Sequence, residues 1–198
     1  MTSANLAAEE LKEKYPERRL FVIDSLGASS GMGLLVDKMA DLRDEGYTID
    51  ELYEWVEENK LKMHAWFFTT DLTFFVKGGR VSKASGWVGT ILQICPLLNV
   101  DVNGKLVPRE KIRTKPKVIQ AIVNKMVEHA DGGAEYSEKC YLSHSGRFND
   151  AQEVATMINE KIPGTKGKIV INNIGTTIGS HTGPGTVALF FWGDKREN

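Results

Sequence analysis

The chain has 198 residues, a formal net charge of −1, 41% hydrophobic residues and 26% charged ones. That composition suits one large or two small globular domains with a real core. It excludes a generic nucleic-acid surface, which needs clustered excess cation, and no apolar run approaches the roughly 20 residues of a membrane-spanning helix.

Residues 2–15 read as a helix with Leu6, Ala7, Leu11 and Tyr15 on one face, capped by Thr2 or Ser3 and closed near Pro16. The opening is polar, so it is not a signal peptide. Residues 20–25 are a short apolar run before a Gly/Ser loop, the pattern of a buried strand. Residues 34–45 are helical and stop at Gly46. Thr48 and Glu51 have the spacing of a capping box that starts a helix running to about residue 62. Residues 64–70 read as a strand, 71–76 as one helical turn, and 77–82 as a tight loop. Residues 87–95 are apolar on nearly every side, the pattern of core or of a tunnel wall. Within 96–113, Asn103-Gly104 between apolar runs predicts a β-hairpin with a type I′ turn. A helix is expected over 116–129 with Val118, Ile122, Val123 and Met126 inward, and a strand over 139–144. Asn149 and Gln152 suggest a second capping box, opening a helix to residue 162. A strand over 168–173 precedes a glycine-rich loop from Gly175, and an apolar run ends at Trp192. Alternating strands and helices predict an α/β fold. The pattern changes near residue 62, so residues 1–62 and 63–198 are expected to form separate units. Cys95 and Cys140 lack metal or redox spacing and read as buried free thiols in a reducing, cytoplasmic compartment.

Three constellations could carry chemistry. In the first, Asp24-Ser25 leads through Ser29, Gly31 and Gly33 into a helix. Free N–H groups at a helix start attract an anion, although a plain helix start reads the same way. In the second, Gly78-Gly79 precede Arg80, and two glycines can fold the backbone so that the guanidinium forks onto a carboxylate or phosphate. The bland reading is a surface Arg in a turn. In the third, Gly175 to Gly185 surround His181 and Thr182 with small residues and hydroxyls suited to an anionic head group. A structural His in a tight loop is the alternative. His64, His129 and His144 read as ordinary strand or helix residues.

Taken together, these segments resemble the DegV family of fatty-acid-binding proteins. The resemblance rests on Asp24-Ser25 with Ala28-Ser29, Gly31 and Gly33, on Lys77-Gly-Gly-Arg-Val-Ser82, on Asn103-Gly-Lys-Leu-Val-Pro108 with Lys111 and Arg113, and on Ile174-Gly175 through Ile178-Gly179 to His181-Thr-Gly-Pro-Gly185. It implies two α/β domains with a long-chain fatty acid between them, the first domain incomplete in this chain. In such a protein the binding subunit presents the fatty-acid carboxylate to a separate fatty-acid kinase, which forms the acyl phosphate. By resemblance, Arg80, His181 and Thr182 lie near the carboxylate, while Ser29, Gly31, Gly33, Val88, Ile91 and Leu92 line the acyl tunnel. No catalytic residue, cofactor or metal is implied, and the partners are the fatty acid and the kinase, with transient membrane contact to collect lipid. Complete members are longer, which implies that this chain starts after a Ser-Gly-Thr-type turn and that Met1 is an internal methionine. Two other readings stand beside this one. One is a related α/β enzyme using His181 as a covalent or phosphoryl carrier, against which no Asp or Glu occurs between Glu160 and His181. The other is an inactive, truncated remnant.

Overall fold

The computed structural model describes residues 2–81 and 94–197. Helices α1 (Thr2–Lys14), α2 (Ser29–Asp44) and α3 (Ile49–Asn59) precede strand β1 (Met63–Thr69) and the short helix α4 (Thr73–Lys77). Then come β2 (Cys95–Val100), β3 (Leu106–Ile112), α5 (Lys115–His129), β4 (Cys140–His144), α6 (Phe148–Lys161), β5 (Ile169–Asn173), α7 (Thr176–Thr182) and β6 (Thr186–Trp192). The strands form one mixed sheet in the order β3-β2-β1-β6-β4-β5. Strands β4 and β5 run parallel, and the other neighbours pair antiparallel. The fold is the expected mixed α/β class.

The two central strands, β1 and β6, are buried at every position. Such strands need cover on both faces, and their unbroken apolar runs reflect that. Helix α2 packs on β4, β1 and β6, while α5 packs on β2 and β1. Period-two alternation separates the faces. Phe190 meets Gly31 of α2 and pairs with Ala65, two residues before Phe67. On the opposite face Trp66 stacks on His129 of α5 and Phe191 stacks on His64. Met63, Phe68, Leu189 and Phe191 are fully buried, each contributing about 1.5–3 kcal/mol through the apolar surface it removes from water. In α5 the predicted inward set Val118, Ile122, Val123 and Met126 is fully buried as well.

Several expectations need correction. Residues 20–25 form no strand, because no described strand lies beside them to share a ladder and a lone strand has no partner for its N–H and C=O groups. Helix α2 starts at Ser29 rather than residue 34, so the Ser29–Gly33 segment is its first turn and not a loop. The third constellation likewise holds a helix, α7, where a loop was expected. The hairpin between β2 and β3 is real, but among its turn residues the positive φ belongs to Gly104 alone, at 73°. Asp101 accepts the Gly104 N–H through its carbonyl and those of Asn103 and Lys105 through its carboxylate. This is a type I turn followed by a left-handed glycine, not type I′. Cys140 is buried, whereas Cys95 is half-buried. Most of the apolar segment 87–95, with Val88, Ile91 and Leu92, lies outside the described residues, as does Ser82.

Of the two capping boxes, the first forms. Thr48 Oγ1 accepts the Glu51 N–H, and Glu51 accepts the Thr48 N–H. These bonds hold the Glu51 carboxyl below its ordinary range. The second does not form: α6 starts at Phe148 behind Arg147, with no side-chain cap. Its first-turn acid, Asp150, turns inward to Lys115 at 2.8 Å.

Candidate functional site

A cavity of about 250 Å³ lies on the α2 side of the sheet. Its floor is the alternating set Ala65 and Phe67 from β1 with Ala188 and Phe190 from β6. Phe75 of α4, Val100 and Leu106 flanking the hairpin turn, and Ile174 and Ile178 add further apolar wall. Phe75 is held by stacking on Phe67, with centroids 5.7 Å apart. The polar lining is sparse and comes from Ser29, Arg80, His181, Thr182 and Thr186. An apolar chamber with a few convergent polar groups is the usual build of a small-molecule site.

Each polar group is placed by identifiable local structure. Helix α4 ends at Gly78, and the Arg80 and Val81 N–H groups both bond back to the Phe75 carbonyl. The Arg80 side chain donates to the Gly78 carbonyl, is exposed, and has no carboxylate within ion-pair distance among the described residues. It therefore offers, among the described residues, a cation without an ion-pair partner beside an apolar chamber. His181 sits in the last turn of α7 against Gly78, where an added Cβ would come within 3.0 Å of its Nδ1. Thr182 donates to the Ile178 carbonyl at 3.2 Å, which orients its hydroxyl. Gly183, with φ of 70°, then turns the chain sharply into β6; a Cβ there would strike the Phe74 ring at 2.4 Å. That contact is why the turn after α7 takes glycine.

Ser29 carries a left-handed backbone, with φ of 57°, an uncommon conformation for a non-glycine residue. The preceding loop is held by one local contact and one long-range contact. Asp24 accepts the Leu26 N–H at 3.0 Å, and both terminal nitrogens of Arg196 fork onto the Leu26 carbonyl at 3.1 Å. Burial pulls the Arg196 guanidinium below its ordinary range, against the opposing charge of Asp101.

The structure thus brings Ser29, Arg80, His181 and Thr182 to one cavity. It does not bring Gly31 and Gly33 there. Gly31 lets α2 close on the sheet, since an added Cβ would lie 2.7 Å from the Phe190 ring, and Gly33 lies against Tyr141. Most of the cavity wall was not singled out from sequence. The signal was present in β1 and β6 as alternate positions, but both strands are apolar throughout, so the face lining a cavity was not distinguishable. On the opposite face, His64 and His129 meet Asp194, a cluster with no sequence signal because its members are 65 and 130 residues apart.

The family model described as an uncharacterised protein of the DegV family matches residues 1–194. A DegV domain-containing protein of Clostridium perfringens is 38% identical over 195 residues, covering 98% of this chain and 66% of that protein. The chain therefore spans just under two thirds of that relative's length. Among solved structures, the Streptococcus pneumoniae Fatty Acid Kinase B3 protein, loaded with linoleic acid, is 27% identical with a TM-score of 0.86; the match covers 98% of this chain and 66% of that one. A fatty acid binding DegV family protein of Streptococcus agalactiae is 26% identical with a TM-score of 0.78, covering 94% of this chain and 64% of that one. No helix among the described residues is long and apolar enough to cross a membrane. With the family match running nearly end to end and the architecture shared with solved members, the chain belongs to the DegV family.

Proposed function

We propose that this protein binds a long-chain fatty acid in the α2-side cavity and presents its carboxylate to a separate kinase, performing no bond chemistry itself. The observation that carries this reading is the pairing of an apolar chamber with the Arg80 guanidinium in its lining, which has no ion-pair partner among the described residues. The tail supplies affinity, at about 0.8 kcal/mol per buried CH₂, and Arg80, His181, Thr182 and Ser29 orient the head. The linoleic-acid-loaded pneumococcal protein supports the ligand class, and its description as a fatty-acid-kinase protein supports the partner. In this reading Val88, Ile91 and Leu92 extend the acyl wall. Residues 1–62 belong to a first α/β domain and residues 63–198 form a second, with the ligand between them. The protein works in the cytoplasm and collects lipid by transient membrane contact. A covalent or phosphoryl-carrying His181 has no support of the same kind, since no carboxylate lies within ion-pair distance of His181 among the described residues.

Organic extraction of the purified protein followed by mass spectrometry tests the ligand class. A long-chain fatty acid is expected, and recovery of nucleotide or sugar phosphate alone would reject the reading. For the head-group roles, Arg80→Ala and His181→Ala should retain most fatty-acid binding yet lower acyl-phosphate formation by an added kinase at least about tenfold, because orientation governs transfer more than affinity does. A stable mass adduct formed with ATP alone, and lost in His181→Ala, would establish the enzyme instead.

A further inference from the structure

The face of the sheet opposite the cavity carries a constellation that fatty-acid binding leaves unused. His64 projects from β1, His129 ends α5, and Asp194 follows β6. His64 Nε2 lies 2.9 Å from Asp194 Oδ1 and also 2.9 Å from the Asp194 carbonyl. His129 Nδ1 lies 3.3 Å from Asp194 Oδ2. One ligand atom from each of the three residues fits within a 4.8 Å span. The two imidazoles stack, with centroids 5.1 Å apart, and Trp66 and Phe191 stack on their outer sides.

The backbone is built to hold this arrangement. Gly193 donates to the Lys62 carbonyl at 2.9 Å and Asp194 donates to the His129 carbonyl at 3.0 Å. A Cβ at Gly193 would lie 2.1 Å from the His129 carbonyl oxygen, so glycine there is what lets Asp194 reach both rings.

We propose that His64, His129 and Asp194 bind a divalent late transition-metal ion, zinc first among them, that ties β1, the end of α5 and the segment after β6 together. Two imidazoles and a carboxylate are a borderline donor set of the kind zinc takes. Zinc–ligand bonds of about 2.0–2.1 Å put the ligands of a tetrahedral ion about 3.3–3.4 Å apart. The two rings meet different oxygens of the carboxylate, at 2.9 and 3.3 Å, and the three ligand atoms lie within 4.8 Å of one another, so the ion enters once side-chain rotation brings them to that spacing. The Asp194 side chain is 62% exposed, which leaves an entry path and a coordination position for water. The inference is independent of the fatty-acid reading.

The test uses the chelator-treated chain titrated with zinc chloride. Calorimetry should show saturable binding of a single ion, and zinc should raise the melting temperature. His129→Ala and Asp194→Asn replace partly exposed side chains and leave buried His64 in place. Each should weaken zinc binding at least about tenfold and abolish the thermal shift. X-ray absorption of the zinc-loaded wild type should show only nitrogen and oxygen ligands at about 2.0–2.1 Å, with imidazole scattering. Absence of saturable binding by the wild type would overturn the proposal, leaving a trio held by hydrogen bonds alone. So would sulfur in the coordination shell, or equal zinc affinity in the wild type and both variants.

Discussion

Two arginines carry the same charge into opposite circumstances. Arg196 is 4% exposed and forks onto the Leu26 carbonyl, whereas Arg80 is exposed and bonds only the nearby Gly78 carbonyl among the bonds described. Removing Arg196 leaves a partly buried carbonyl without these bonds and frees the loop that sets Ser29. Arg196→Ala should therefore cost about 1–3 kcal/mol in urea unfolding, while Arg80→Ala stays within about 0.5 kcal/mol. Equal effects would contradict the division of roles. Gly31→Ala, which presses a methyl group into the Phe190 ring and Met63, should cost about 1–3 kcal/mol by the same assay. Arg80 and His181 were legible because glycines flank them in unusual density. Arg196 was not, because a charge near a chain end reads as surface until the fold buries it. Gly31 was legible as a special position, but its packing partner was not: a glycine that lets a helix close on a sheet looks, in sequence, like one that admits a ligand.

The capping boxes show how one sequence pattern has two outcomes at the level of the element. Thr48 and Glu51 cap α3 reciprocally, so Thr48→Ala should lower stability by about 1 kcal/mol. Asn149 caps nothing, because α6 has already started at Phe148 and Asp150 is drawn to Lys115. Asn149→Ala should leave the unfolding midpoint within about 0.5 kcal/mol of wild type, and a loss comparable to that of Thr48→Ala would show that the box forms in solution. The hairpin was legible from Asn103-Gly104, but its turn type was set by Asp101, whose carboxylate collects two backbone N–H groups at 2.8 Å. Burial opposes the charge of Asp101, yet the Lys105 and Asn103 N–H groups outweigh it and hold the carboxyl below its ordinary range. Residues 20–25 were misread because an apolar run reports a preference for burial, not the presence of a neighbouring strand.

Across the whole molecule, burial of neutral acids sets the alkaline limit. Burial pushes the Cys140 thiol from 9.0 up to about 12 and raises the Tyr136 phenol above its ordinary 10.0. Between those ordinary values and the folded ones, the unfolded chain holds fewer protons than the native state. The stability these two groups contribute is therefore full below pH 9 and falls as pH rises toward 12 and beyond. Urea midpoints measured against pH should decline in that window, and Cys140→Ala should flatten the decline; a flat profile in the wild type would refute it. The same burial should leave Cys140 unmodified by iodoacetamide in the native protein while half-buried Cys95 reacts slowly, as peptide mapping would report. The sequence by itself determined the mixed α/β class, the order of most helices and strands, and the four motifs that identify the family, because hydrophobic period, turn chemistry and glycine spacing are local properties of the chain. Tertiary structure alone decided which motif residues share a cavity, that Gly31 serves packing, and that His64, His129 and Asp194 meet on the opposite face. The reason is the antiparallel pairing of β1 with β6. It sets Ala65 beside Phe190 and His64 beside Phe191, giving alternate residues of the same two apolar strands to opposite sides of the sheet, and strand register is a relation between distant segments that neither segment states alone.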